Sequence, residues 1–227
     1  MRFDALAGDG GRDGDGSTVP LVQTVQHTSG SVPTSRSVAV PFASSVTAGN
    51  VLLVAVSAYE ATTISTPIDS QGNVYTLAVT ASSPGNAIAS IYATTAAQTG
   101  PDAVTCSIGI PDNIHCHLYE VSGVTATLDA SGTQIQNATA NLSVATTAST
   151  TTPHGYVLAY FATNNTRLTL AADPRYGDAE LTSSPSADTG FSEAKVVEVA
   201  EAQVAIATAS SPDDFVNLIV AFKGAGN

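Results

Sequence analysis

Seven Lys and Arg against nineteen Asp and Glu give this 227-residue chain a formal net charge of −12, with 11% charged and 43% hydrophobic residues. Nucleic acid and anionic membrane surfaces both require clustered cations, so neither class of partner fits. No apolar run approaches the roughly 20 residues of a membrane-spanning helix, which leaves no route to membrane insertion by that means, and the length suits one large all-β domain.

Residues 1–19 read as an arm preceding a single domain over 20–227. "AGDGGRDGDGSTVP" (7–20) buries too little apolar area to fold alone, and Phe3 and Leu6 are the arm's only sizeable anchors. Asp9, Asp13 and Asp15 are weak metal candidates. Asp13-x-Asp15-Gly16 matches part of a calcium loop but lacks the third acidic position and the distal Glu; a solvated linker is the competing reading. "MRFDALAGDGG" has no apolar signal-peptide core. Met1 at its head favours a virion protein over a secreted filament, with a signal removed upstream as the other reading.

Strand follows strand after that. "SVAVPF" (37–42) alternates, and "NVLLVAVSAY" (50–59) is apolar at both parities, as a strand covered on both faces must be. Further strands are expected at 73–80, 87–94, 103–110, 114–121, 140–147, 155–162, 194–200, 202–209 and 215–223. Turn signals such as "TAGN", "DSQGN", "SPGN" and "SSPDD" separate them. Loops are expected at 60–72, 145–155 and 182–190. No helix and no repeat at fixed spacing is apparent. So many short strands predict an all-β fold, a two-sheet antiparallel β-sandwich of jelly-roll type with an extended N-terminal arm.

"NIHCHLYEVSG" (113–123) holds two histidines and one of the two cysteines. Folding 103–119 about Pro111 opposes Cys106 to Cys116, Ile108 to Ile114 and Val104 to Leu118, all on one core face. His115 and His117 then point the other way, toward solvent. Strand alternation thus separates cysteine from histidine and argues against a Cys–His catalytic pair. Zinc on His115 and His117 would lack a third ligand, since Ser107 and Thr105 stand opposite. Two opposed cysteines permit a Cys106–Cys116 disulfide, with two buried thiols as the alternative.

Other chemistry is sparse. There is no G-x-S-x-G, H-E-x-x-H or phosphate-binding G-x-x-x-x-G-K. His27 and His154 are isolated, Asp69 reads as a turn cap, and Asp129, Asp178, Glu180 and Glu193 are scattered. Glu193 and Lys195 read as a solvated strand face. Among residues able to stack on a sugar, Tyr176 in "DPRYGD" is the best exposed candidate.

"VTAGNVLLVAV" (46–56), "DSQGNVYTLAV" (69–79), "ASIYATT" (89–95), "LYEVSGV" (118–124) and "NLIVAFKGA" (217–225) occur in an order that resembles a loosely defined group of jelly-roll-like β-sandwich modules. Such modules occur in extracellular proteins of bacteria and in structural proteins of their phages. The resemblance implies display, adhesion or assembly, and supplies no catalytic residues and no cofactor. The expectation is a non-catalytic structural subunit of an extracellular assembly, most simply a virion surface, decoration or fibre component. Its partners would be further protein subunits, with residues 1–19 as an assembly arm. The alternatives are a secreted filament subunit and a module that binds surface glycans.

Overall fold

The computed structural model describes residues 20–59, 62–164, 167–183 and 188–226. The arm, with Phe3, Leu6, Asp9, Asp13 and Asp15, lies outside the described residues. The first half of the chain forms β1 (Gln23–Pro41), β2 (Val51–Tyr59), β3 (Ile68–Asp69), β4 (Thr76–Ser82), β5 (Ala87–Thr95) and β6 (Ala103–Ser122). The second half forms β7 (Val124–Ala145), β8 (Gly155–Thr163), β9 (Leu170–Ala172), β10 (Gly177–Ser183), β11 (Thr189–Val197) and β12 (Val204–Gly224). The expected two-sheet antiparallel sandwich is present. Each sheet, however, draws its strands from one contiguous half of the chain instead of interleaving the two halves as a jelly roll does.

The two halves share one plan, which corrects the expectation of no repeat. The first sheet runs β1-β6-β2-β5-β4 with β3 on β6, and the second runs β7-β12-β8-β11-β10 with β9 on β12. Every strand has a counterpart at the same place. The repeat escapes notice in the sequence because it conserves backbone places rather than side chains. Its visible trace is Pro111-Asp112-Asn113 against Pro212-Asp213-Asp214. Asp112 and Asp213 each accept a hydrogen bond from the next backbone N–H, at 2.7 and 2.8 Å.

Those tripeptides mark a fold in each long strand pair. β1 pairs with β6 from Gln23↔Ser122 to Pro41↔Ala103, and the register breaks around Val32–Ser37. There the ribbon doubles back over the outer face of its own sheet. Val38, Val40, Val104, Cys106 and Ile108 of the outer limb then pack on Leu52, Val54, Val56, Ile114, Cys116 and Leu118. β7 and β12 do the same, laying Leu142, Val144, Ala205 and Ala207 over Val157, Ala159, Phe161 and Ile219. Thr34 and Ala138 hold matching positive φ values of 49° at the two folds. β2 is apolar at both parities for this reason: one face meets the other sheet and the other meets its own ribbon. At Gly132 a side chain would collide with the Ala145 carbonyl of the returning limb.

The inner faces of the two sheets form a third, central core. It joins Leu53, Ala55, Ile91, Tyr119 and Val121 to Tyr156, Leu158, Tyr160, Leu218 and Val220.

Candidate functional site

β6 lies between β1 and β2, with the folded ribbon on one face and the second sheet on the other. Cys106 and Cys116 face the ribbon side, where they are bridged with Cα atoms 6.3 Å apart. The two limbs that carry them are not ladder partners of each other; both pair with β1. All six residues of the expected core face, Val104, Cys106, Ile108, Ile114, Cys116 and Leu118, lie in one cluster.

His115 and His117 do point away from the cysteines, but not to solvent. Their exposures are 1% and 0%. Alternation assigns residues to faces and does not say that a face is wet; here the second sheet covers it and brings hydroxyls. His117 Nδ1 lies 2.7 Å from Ser192 Oγ, and its Nε2 lies 2.7 Å from Thr182 Oγ1. Thr182 Oγ1 also meets His115 Nδ1 at 2.8 Å and the Gly190 carbonyl at 3.3 Å. With one proton for three neighbours, the Thr182 hydroxyl must receive an N–H from at least one imidazole. Ser192 continues to the Tyr119 hydroxyl at 2.9 Å, which donates to the Asp178 carbonyl at 2.7 Å. Beside the histidines, Ser57 and Tyr160 pair through their hydroxyls at 2.8 Å, and the Tyr160 ring meets the His117 ring edge-on at 5.1 Å. Gly190 makes this possible, since a methyl group there would strike the Tyr160 hydroxyl and the His115 Cβ.

Both ends of this row carry carboxylates. At the inner end, buried Asp188 Oδ2 stands 3.7 Å from His115 Nε2, and neither of these atoms, nor Asp188 Oδ1, has a hydrogen-bond partner among the described residues. At the outer end, His27 stacks on Tyr119 and its Nδ1 lies 2.6 Å from Glu180 Oε1. Ser29 donates to Glu180 Oε2 at 2.9 Å, so His27, Asp178 and Glu180, scattered in sequence, converge. Burial holds His117 down to about 3, with His115 adding to the effect, and pushes Tyr119 well above the usual phenol range. His117 is therefore neutral at ordinary pH. Among the described residues, no three His, Cys, Asp or Glu side chains gather as a metal ligand set.

A second cluster lies on the outer face of the second sheet. Glu193 is fully buried, not solvated: its Oε2 accepts from the Asp173 N–H at 3.0 Å and its Oε1 has no partner among the described residues. Burial raises Glu193 to about 8, the Asp173 backbone N–H opposing it and the Asp173 charge adding to it. Arg175 grips Asp173 through Nε and Nη2 and holds it below the usual carboxylate range. Lys195 lies 4.8 Å over the Tyr176 ring. Tyr176 is buried and donates to the Val204 carbonyl at 3.1 Å, which corrects the expectation of an exposed sugar-stacking ring. His154 is exposed in its loop, and Asp69 caps its turn by accepting from the Gln71 and Asn73 N–H groups.

A surface cavity of about 410 Å³ is lined by Pro41, Phe42, Ser44, Ser45, Ser70 and Asp102, among others. Asp102 is buried, accepts from Ser70 through Oδ1 and leaves Oδ2 unpartnered. No residue type or spacing announced the inter-sheet row beyond "HCH" itself; the partners Thr182, Ser192 and Asp188 carry no motif. No family model, curated protein or solved structure matches the chain.

Proposed function

We propose that the chain is a structural subunit of an extracellular assembly, most simply a virion surface, decoration or fibre component, with no catalytic step of its own. One observation carries the reading. Among the described residues, each sheet ends on two strands with no further ladder partner, β1 and β4 in one and β7 and β10 in the other. Each of the four carries an exposed aliphatic side chain: Val25, Leu77, Ile135 and Leu181. β1 lies beside β10 and β4 beside β7 without a ladder between them, and an edge with unpaired backbone and apolar side chains beside it is a template for an added strand. Low charge density supports the same reading, since large contacts then bury few ions. The Cys106–Cys116 bridge fits an oxidising setting. The imidazole–hydroxyl pairs are sealed between the sheets, away from any substrate.

Sedimentation of the purified chain across a concentration series, with electron microscopy of the products, tests the proposal. Ordered oligomers are expected, and removal of residues 1–16 should weaken them. A chain that stays monomeric at every concentration overturns it. The cavity at Asp102 favours a second reading, a module that binds surface glycans. A glycan array in which a defined sugar is bound by the wild type and lost in D102N would support that reading over assembly.

A further inference from the structure

The ladder registers place the two halves in correspondence residue by residue. Across β4, β5, β2 and β6, one inward row reads Ala81, Ala89, Ser57, His115. Its counterpart across β10, β11, β8 and β12 reads Thr182, Gly190, Ala162, Val216. The next row pairs Ile91, Ala55 and His117 with Ser192, Tyr160 and Leu218. The sandwich has two equivalent junctions. At one, β6 meets β10 and β11, and His115 and His117 engage Thr182 and Ser192. At the other, Val216 and Leu218 share an apolar cluster with Ala87, Ala89 and Ile91, and Ala81 packs against it. Asp188, facing His115, corresponds there to Ala87. One backbone plan thus carries a polar junction and an apolar junction.

We infer that the polar junction is a pairing code that lets the sandwich form only between unlike halves. Two first halves placed face to face would set His115 and His117 against Ala81, Ala89 and Ile91 at both junctions, leaving every imidazole buried without a partner. Two second halves would set Thr182, Ser192 and Asp188 against Val216 and Leu218, stranding hydroxyls and a carboxylate. Buried polar groups without partners penalise both arrangements. Only the unlike pair gives His115 Nδ1, His117, Thr182 and Ser192 their hydrogen bonds across the junction. The partner that the inner face of 20–122 fits is therefore 124–226, from its own chain or from a second copy, and never its own kind. The apolar junction shows that the plan packs without polar groups, so the histidines add discrimination rather than a fold requirement.

Full-length variants test this. H115V/H117L and T182A/S192I each mismatch the junction from one side, while the fourfold variant copies the apolar junction at these four positions. The expected result is non-additive: the fourfold variant melts above either one-sided variant. Having lost discrimination, it should also refold from denaturant, with rising protein concentration, into a larger share of dimers and higher species than the wild type forms at the same concentration. H117L/S192I, which replaces only the direct contact, carries both tests if the fourfold variant does not fold. Additive losses in melting temperature overturn the inference. So does a two-sided variant that refolds to the same share of each species as the wild type at every concentration.

Discussion

Two buried groups with large displacements across the mid-pH range, His117 and Glu193, predict a stability profile with two opposed limbs. His117 titrates near 6.5 when unfolded and near 3 when folded. Between those values the unfolded chain holds a proton that the folded chain refuses, so stability rises with pH by about 1.4 kcal/mol per unit. Glu193 is displaced the other way, from 4.5 to about 8. Between those values the folded chain keeps a proton that the unfolded chain has lost, so stability falls with pH at the same slope. From 4.5 to 6.5 the two cancel and their combined contribution is flat. Below 4.5 the histidine limb remains and stability drops toward pH 3. From 6.5 to 8 the glutamate limb remains and up to about 2 kcal/mol is lost. Urea unfolding at half-unit steps of pH measures this directly. H117L should make the drop from pH 4.5 to 3 shallower, leaving the part that the lowered Asp173 carboxyl contributes, and E193Q should remove the loss from 6.5 to 8. An E193Q protein that loses stability between pH 6.5 and 8 as steeply as the wild type would refute the assignment, as would an H117L protein with an unchanged acid limb.

Replacing both cysteines, C106A/C116A, removes a short closed loop and a core contact; chemical denaturation should show a loss of about 2–3 kcal/mol. G190A should cost about 1–3 kcal/mol in the same assay, because the added methyl must displace the Tyr160 hydroxyl and His115. R175A leaves the Asp173 carboxylate buried without its bidentate partner, and thermal melting at pH 7 should reveal destabilisation that R175K only partly repairs.

What the sequence disclosed follows from what side-chain period encodes. β2, β5 and β8 are expected within a residue or so of their ends because continuous apolar runs leave few alternatives. The Cys/His split of 115–117 is correct for the same reason. What failed is the step from "polar face" to "solvent", since a partner strand from elsewhere in the chain decides that. Glu193 failed identically: "SEAKVVEVA" looks half-wet, but β9 and the folded β7–β12 ribbon cover its outer face. The leading parts of β1 and β7 were missed because "QTVQHTSGSV" and "ASGTQIQNAT" line sheet edges, where half-exposed positions tolerate Gln, Ser and Thr. β10 is an edge strand too, and its seven residues "GDAELTS" carry no run of β-branched side chains.

The two departures from internal symmetry differ in kind, and their faces explain why. The histidine row lies between the halves, where its partners come from the other sheet, so any change there is felt by the pairing. The Asp173–Arg175–Glu193 cluster lies on the outward face, and its side chains are bonded within the second half itself. In the first half the place of Glu193 is held by Tyr92, and that of Lys195 by Thr94. A charged cluster on this face cannot select which half docks, because the bonds of Asp173, Arg175 and Glu193 given above stay within the second half. It does fix the β9–β10 turn to β11, through Asp173 and the ring of Tyr176. Pairing between halves and anchoring of an outer loop are thus written on opposite faces of β11, at Ser192 and Glu193, one residue apart. Period-two alternation lets one strand carry both, and S192I should disturb the junction while leaving the Glu193 titration above pH 6.5 in place.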